Sequence, residues 1–262
     1  MGRYGSSAGT GIASVPERTV PSAEAEWLRD ALALLRKDVR AELRTKTAVS
    51  AVGVFAFASL LLIGLATATL KETQAWDFLR NQNYPAWTDV SKMGLLWTLL
   101  CFAAFAGLSH SFVHEEETGT VMALRLTTSS GAVYAGKLAF NGILLLAVAL
   151  VVTPAYMLMT GMHSGPPLVF VMTMVSGCVG LGGAATIVAA LTAKARGTGA
   201  LFGALGLPLI TVFLMLLLNA AHSLYGEQVA AIQHVKNVGG LLSYGILLIA
   251  VSGFMFRYVW ED

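Results

Sequence analysis

Residues 48–70 read AVSAVGVFAFASLLLIGLATATL, an apolar run with no ionisable side chain between Lys46 and Lys71. Crossing the hydrocarbon core of a bilayer takes about 20 apolar residues at 1.5 Å each, so this stretch predicts a transmembrane helix. It lies too far from the N-terminus and is too long for a cleavable signal, whose apolar core is about 7–15 residues. Five further stretches have the same character: 93–111, 138–162, 168–193, 197–221 and 238–256. The fifth holds no ionisable group between Arg196 and His222. The fold predicted is an all-α polytopic membrane protein with six transmembrane helices.

Composition points the same way. Of 262 residues, 56% are hydrophobic and 12% charged, with a mean hydropathy of +0.69. Soluble domains carry about 25% charged residues, so lipid has to be the solvent for much of this chain. A net charge of +2, without a basic stripe interleaved with aromatics, excludes a nucleic-acid binder. Cys101 and Cys178 both lie in apolar runs, which predicts buried free thiols rather than disulfides or a metal knuckle.

The basic residues set the orientation. With the N-terminus inside, thirteen of the seventeen Lys and Arg fall on the cytoplasmic side, and only Lys71, Arg80, Lys92 and Lys236 outside. Six crossings then return the C-terminus to the cytoplasm, so a plasma membrane location with both termini cytoplasmic is expected.

Three regions divide the chain. Residues 1–23 are rich in Gly, Ser, Ala and Pro and predict a disordered tail. In residues 24–47, Leu28, Leu32, Leu35, Val39 and Leu43 recur at steps of three and four, while Arg36, Lys37, Arg40 and Arg44 fall elsewhere on the wheel. This predicts an amphipathic helix along the inner leaflet, its cations among anionic lipid headgroups. Residues 48–262 form the six-helix domain. Trp76, Phe78, Tyr84 and Trp87 suit an interfacial segment between spans one and two, and His222 to Asn237 is read as an outer cap between spans five and six. Pro208 permits a kink within LGLPLI. Small residues in GCVGLGGAA, Gly177 to Ala185, suit close helix packing.

Few groups in the spans suit covalent or proton-relay chemistry. Ionisable residues at membrane depth are costly and mark function, but the span interiors offer chiefly Asn141, Thr153, Tyr156, Thr173, Ser176 and Asn219. A proton-coupled transporter or an intramembrane protease is therefore not expected. His110 and His114 are four apart and would share a helix face, yet two imidazoles do not complete a zinc site. Residues 131–137, GAVYAGK, nearly satisfy the GxxxxGK[ST] phosphate loop, but Leu138 replaces the hydroxyl residue and no strand precedes the glycine. No catalytic residue and no metal ligand is assigned.

The cytoplasmic segment 112–137, FVHEEETGTVMALRLTTSSGAVYAGK, is the informative one. An acidic turn at Glu115, Glu116 and Glu117 is followed by a Gly119-Thr120 break and by Val121, Leu124 and Leu126. Such an element can dock a soluble partner, its carboxylates meeting Arg or Lys and its apolar side chains gripping a groove. A solvated charged loop is the bland alternative.

Residues 115–137 resemble the coupling loop of ABC-2 type exporter permeases. Over about 25–262 the chain resembles the permease subunit of the cytochrome c maturation haem exporter, the CcmB family. The resemblance rests on KDVRAELRTK at 37–46, GLLW at 94–97, GLSHSF at 107–112, AGKL at 135–138, GLPL at 206–209 and FRYVWED at 256–262, in order. It implies a coupling helix between spans two and three, with Phe112 and Glu115 to Glu117 facing an ATPase subunit, Gly119 and Thr120 forming the turn, and Leu124 and Leu126 gripping. It also implies a homodimer on two ATP-binding subunits, which would hold ATP and Mg. A tryptophan-rich haem-handling membrane subunit, a small membrane peptide and a haem carrier would complete the complex. Haem is the possible cargo, and no cofactor is assigned to this chain. The alternative is a generic ABC-2 type permease for a drug, lipid or glycan.

Overall fold

The computed structural model describes residues 23–71, 85–117, 128–194, 199–226 and 229–261. All regular structure among them is helical: α1 (Ala23–Thr45), α2 (Thr47–Lys71), α3 (Pro85–Glu117), α4 (Ser130–Thr160), α5 (Pro167–Lys194), α6 (Gly199–Tyr225) and α7 (Ala231–Glu261). Val49–Thr69, Ser130–Thr160, Pro167–Thr186 and Ala231–Arg257 are long and apolar enough to cross a membrane, and Ile210–Tyr225 is a shorter apolar helix. The chain is thus a helical, membrane-embedded protein. The predicted tail, residues 1–22, lies outside the described residues, as do Trp76, Phe78 and Tyr84.

Helix ends follow local chemistry. Pro at the first position of α3 and of α5 presets φ where an amide hydrogen has no partner anyway. Ser129 caps α4, its hydroxyl accepting from the Ala132 amide at 3.4 Å, and Gly161 closes the helix in the left-handed region at φ 65°. Lys46, at φ 56°, forms the joint between α1 and α2, and the Glu42 carboxylate accepts from the Val49 amide at 2.7 Å to cap the second helix.

Successive helices alternate in direction. Early in α2, Phe55 meets Phe102 late in α3, with ring centroids 6.4 Å apart. Late in α2, Gly64 meets Met159 at the end of α4. One end of the bundle, here the basal end, gathers α1, the start of α4 and the end of α7. At the opposite, distal end, Tyr156 of α4 donates to the Lys92 carbonyl of α3 at 2.8 Å, and Tyr225 of α6 donates to the His163 carbonyl at 2.7 Å.

The core centres on α5, which touches α3, α4, α6 and α7. Its most apolar window is 67% buried, against 17% for that of α2. The expected small residues make this possible. Gly177 lies against the Trp97 indole, Gly180 against Phe213 and Gly245, Gly182 against Gly142, and Gly183 against Ile249. A glycine on each side of α5 lets a neighbouring helix approach to backbone distance. The outer faces remain apolar: Val54, Phe57, Leu61, Leu62 and Leu65 of α2 are exposed, as lipid contact requires.

The helices are longer than the apolar runs that predict them. The second begins at Pro85 rather than 93, and the third at Ser130 rather than 138. The region His222 to Asn237, read as a cap, is mostly continued helix, since α6 runs to Tyr225 and α7 starts at Ala231. Two cations explain the underestimate. Lys92, assigned to an outer loop, is a buried residue of α3 with its ammonium 3.0 Å from Asp89, and Lys137 is a buried residue of α4. A paired charge does not interrupt a helix.

Candidate functional site

At the basal end α1 lies across the first turns of α4. Its 23 residues contain neither Gly nor Pro and are dominated by Ala, Leu, Arg and Glu, all strong helix formers. Ala31, Leu34 and Asp38, at steps of three and four, form the buried stripe. Opposite them, α4 presents glycines. A Cβ on Gly131 would lie 3.2 Å from the Trp27 indole nitrogen, and one on Gly136 would lie 3.0 Å from Leu34 Cβ and 3.1 Å from the Ala31 carbonyl. GAVYAGK is therefore a helix-crossing surface, not a phosphate-cradling loop.

Within this crossing the Lys137 ammonium lies 3.0 Å from Asp38 Oδ2, with Lys137 2% and Asp38 8% exposed. Lys37 lies 3.5 Å from Asp38 Oδ1 but is itself exposed. Desolvating either charge alone would cost several kcal/mol, so the pair is stable only as a pair. One turn before Lys137, Tyr134 meets Phe256 with centroids 5.6 Å apart and the rings tilted by 40°, and it donates to the Ile249 carbonyl at 2.9 Å. Together with Leu34 and Val133 these rings form a small core distinct from the main one. The start of α4 is thus clamped between α1 and the end of α7.

Arg36, Lys37, Arg40 and Arg44 are exposed. The predicted apolar set of α1 divides: Leu35 and Val39 pack toward the main core, while Leu28, Leu32 and Leu43 remain exposed. One helix thus carries a buried stripe for protein, an exposed apolar stripe and a set of exposed cations. Phe112 and Glu115 to Glu117 belong to the last turns of α3, and nothing is described of their side chains or of His110 and His114. Gly119, Thr120, Leu124 and Leu126 lie outside the described residues, which resume at Thr128 and enter α4 at once.

The ion pair itself was missed by sequence reasoning. A signal was present: Lys137 precedes an apolar run and needs a partner there, and Asp38 stands four residues after Leu34 on a face that carries no arginine. KDVRAELRTK and AGKL, two stretches that carry the family resemblance from distant parts of the chain, meet in this contact.

Inside the bundle, Asn141 donates to the Thr186 hydroxyl at 2.8 Å, which donates to the Gly182 carbonyl at 2.7 Å. This chain of bonds fixes α4 to α5. At the distal end Asp89 joins Lys92 at 3.0 Å and His163 Nδ1 at 3.6 Å. Asn141 and Tyr156 of the expected polar set, each 0% exposed, thus act as ties between helices.

No curated protein matches the chain. The family described as CcmB protein matches residues 29–255, from the first third of α1 almost to the end of α7. That span takes in the glycine-packed bundle, the Asp38–Lys137 crossing and the whole segment between α3 and α4. The chain belongs to the CcmB family, whose members are permease subunits of the haem exporter of cytochrome c maturation.

Proposed function

We propose that this chain is the non-catalytic permease of that exporter, converting ATP hydrolysis by a separate subunit into haem delivery or release of the haem-loaded carrier. The family match across residues 29–255 carries the reading. Six crossings are part of this reading: α2 to α7 have 25 to 33 residues each, and at 1.5 Å per residue every one exceeds the about 30 Å hydrocarbon core. Alternating directions and the excess of basic residues at the basal end support a bacterial inner-membrane protein with that end, and both termini, in the cytoplasm.

In this reading Phe112, Glu115, Glu116, Glu117, Gly119, Thr120, Leu124 and Leu126 form the coupling element. The carboxylates pair with cations of the ATPase, and Leu124 and Leu126 occupy an apolar groove on it. ATP and Mg belong to that partner. Two copies of this chain sit on two ATPase subunits, beside a tryptophan-rich haem-handling subunit, a small membrane peptide and the haem carrier. Closure of the ATPase subunits displaces the segment between α3 and α4. Because α4 begins immediately afterwards and holds α1 through Lys137 and Asp38, the displacement moves α1 and α4 as one unit. Release of the carrier, rather than conduction of haem through this chain, is the preferred output, since its spans lack a tryptophan-rich platform.

Replacing Glu115, Glu116 and Glu117 by Ala tests the coupling role. ATPase co-purification should fall, and covalent haem staining of c-type cytochromes should be lost, while the permease stays in the membrane. Undiminished co-purification with normal staining would reject the docking assignment.

A further inference from the structure

Between the distal ends of α6 and α7 lies a cavity of about 420 Å³, open to the surface, within the about 300–1,000 Å³ range of small-molecule sites. Its polar lining comes from Asn219, His222 and Ser223 on α6 and from Gln233, Lys236 and Asn237 on α7. Gln233 donates to Asn237 Oδ1 at 3.1 Å, and Asn237 donates to the Asn219 carbonyl at 3.3 Å. The first bond orients the two amides within α7, and the second ties α7 to α6. A lysine ammonium is among the lining groups, and no carboxylate is among the described lining residues. Amide and imidazole donors around a lysine, with no acid among the described lining residues, form an environment for an anion.

The surroundings indicate what carries the anion. His222 ends the apolar run of α6 and Lys236 precedes that of α7, so the cavity sits at headgroup depth. Toward the bilayer the lining of the same cavity turns to Leu216 of α6 and Gly240 of α7. A polar, cationic cavity whose lining becomes apolar toward the bilayer matches the negative head of an amphiphile. We propose that the α6–α7 cavity binds the phosphate headgroup of an anionic membrane lipid, with Lys236 as its charge partner and Asn219, His222 and Gln233 as hydrogen-bond donors. This site is independent of the coupling reading.

The test is native mass spectrometry of the full chain, purified in mild detergent and offered equal phosphatidylglycerol and phosphatidylcholine, with and without millimolar glycerol phosphate. The wild type should retain phosphatidylglycerol preferentially. Lys236→Gln should lose about fivefold of that preference, since one basic residue contributes about that much near an anionic surface, while Lys236→Arg keeps it. His222→Gln provides a second, smaller loss, and the thermal midpoint of each variant reports that it is folded. Displacement by glycerol phosphate that depends on Lys236 supports the same phosphate site with a soluble source; no displacement supports the lipid. Equal retention of both lipids by the wild type, or an unchanged preference in Lys236→Gln, overturns the proposal.

Discussion

Asp38 and Lys137 show how much a single pair can determine. Each is nearly sealed from solvent by the crossing of α1 over α4, so removing one takes from the other a buried counter-charge 3.0 Å away, at a cost approaching the about 3–5 kcal/mol of breaking a buried pair. Lys137→Met and Asp38→Asn should each lower the thermal midpoint of the detergent-solubilised protein by many degrees. The double variant Asp38→Leu with Lys137→Met should return close to the wild type, because an apolar pair has no desolvation to offset. Singles that melt with the wild type would show that the pair contributes nothing. Lys46 offers an opposite case. Its left-handed backbone is unfavourable for a side chain with a Cβ by about 1 kcal/mol, so Lys46→Gly or Lys46→Asn should leave stability unchanged or raise it slightly, and Lys46→Val should lower it by the same measurement.

At the scale of elements, α5 is the organiser and its glycines are the means. A Cβ on Gly245 of α7 would stand 3.0 Å from Gly180 Cα, a contact between backbones that neither helix can relieve by a rotamer change. Gly245→Val should cost about 1–3 kcal/mol through overpacking, read as a lower thermal midpoint, whereas Gly53→Ala on the exposed face of α2, where nothing lies within 4 Å, should be neutral or stabilising by up to about 1 kcal/mol. An equal loss in both would show that helix propensity, not close approach, sets the glycine pattern. The glycine run was legible in the sequence because small residues stand out in an apolar span. The lengths of α3 and α4 were not legible. Lys92 and Lys137 look like loop residues until their partners, Asp89 three residues before and Asp38 a hundred residues before, are known. The stripe by which α1 meets protein was hidden for a related reason: Ala31, Leu34 and Asp38 are less apolar than the Leu28, Leu32 and Leu43 stripe that stays exposed, and only the glycines of α4 decide which face is buried.

For the whole molecule, the two ends of the bundle differ in charge, and the proposed orientation in the membrane rests on that difference. Exposed Arg36, Lys37, Arg40 and Arg44 crowd the basal end, while the distal end carries Asp89, His163 and the α6–α7 cavity. Lysine and arginine are held on the cytoplasmic side during insertion, which supports the proposed placement of the basal end inside. Between Arg44 and His163 the chain runs through α2, α3 and α4, and if all three cross, as proposed, this odd number of traverses puts the two residues on opposite faces of the bilayer. Cys101 and Cys178 are buried, 5% and 0% exposed, and should be silent toward a polar maleimide, so an introduced thiol can be read without removing them. His163→Cys should label in intact cells with a permeable outer membrane, and Arg44→Cys only after lysis. Labelling of both from one side would mean that one of the three helices does not cross, and the reverse pattern would turn the coupling segment away from any cytoplasmic ATPase. Since α3 ends and α4 begins at the same end as α1, the label on Arg44→Cys also reports which side of the membrane the proposed coupling partner must approach from.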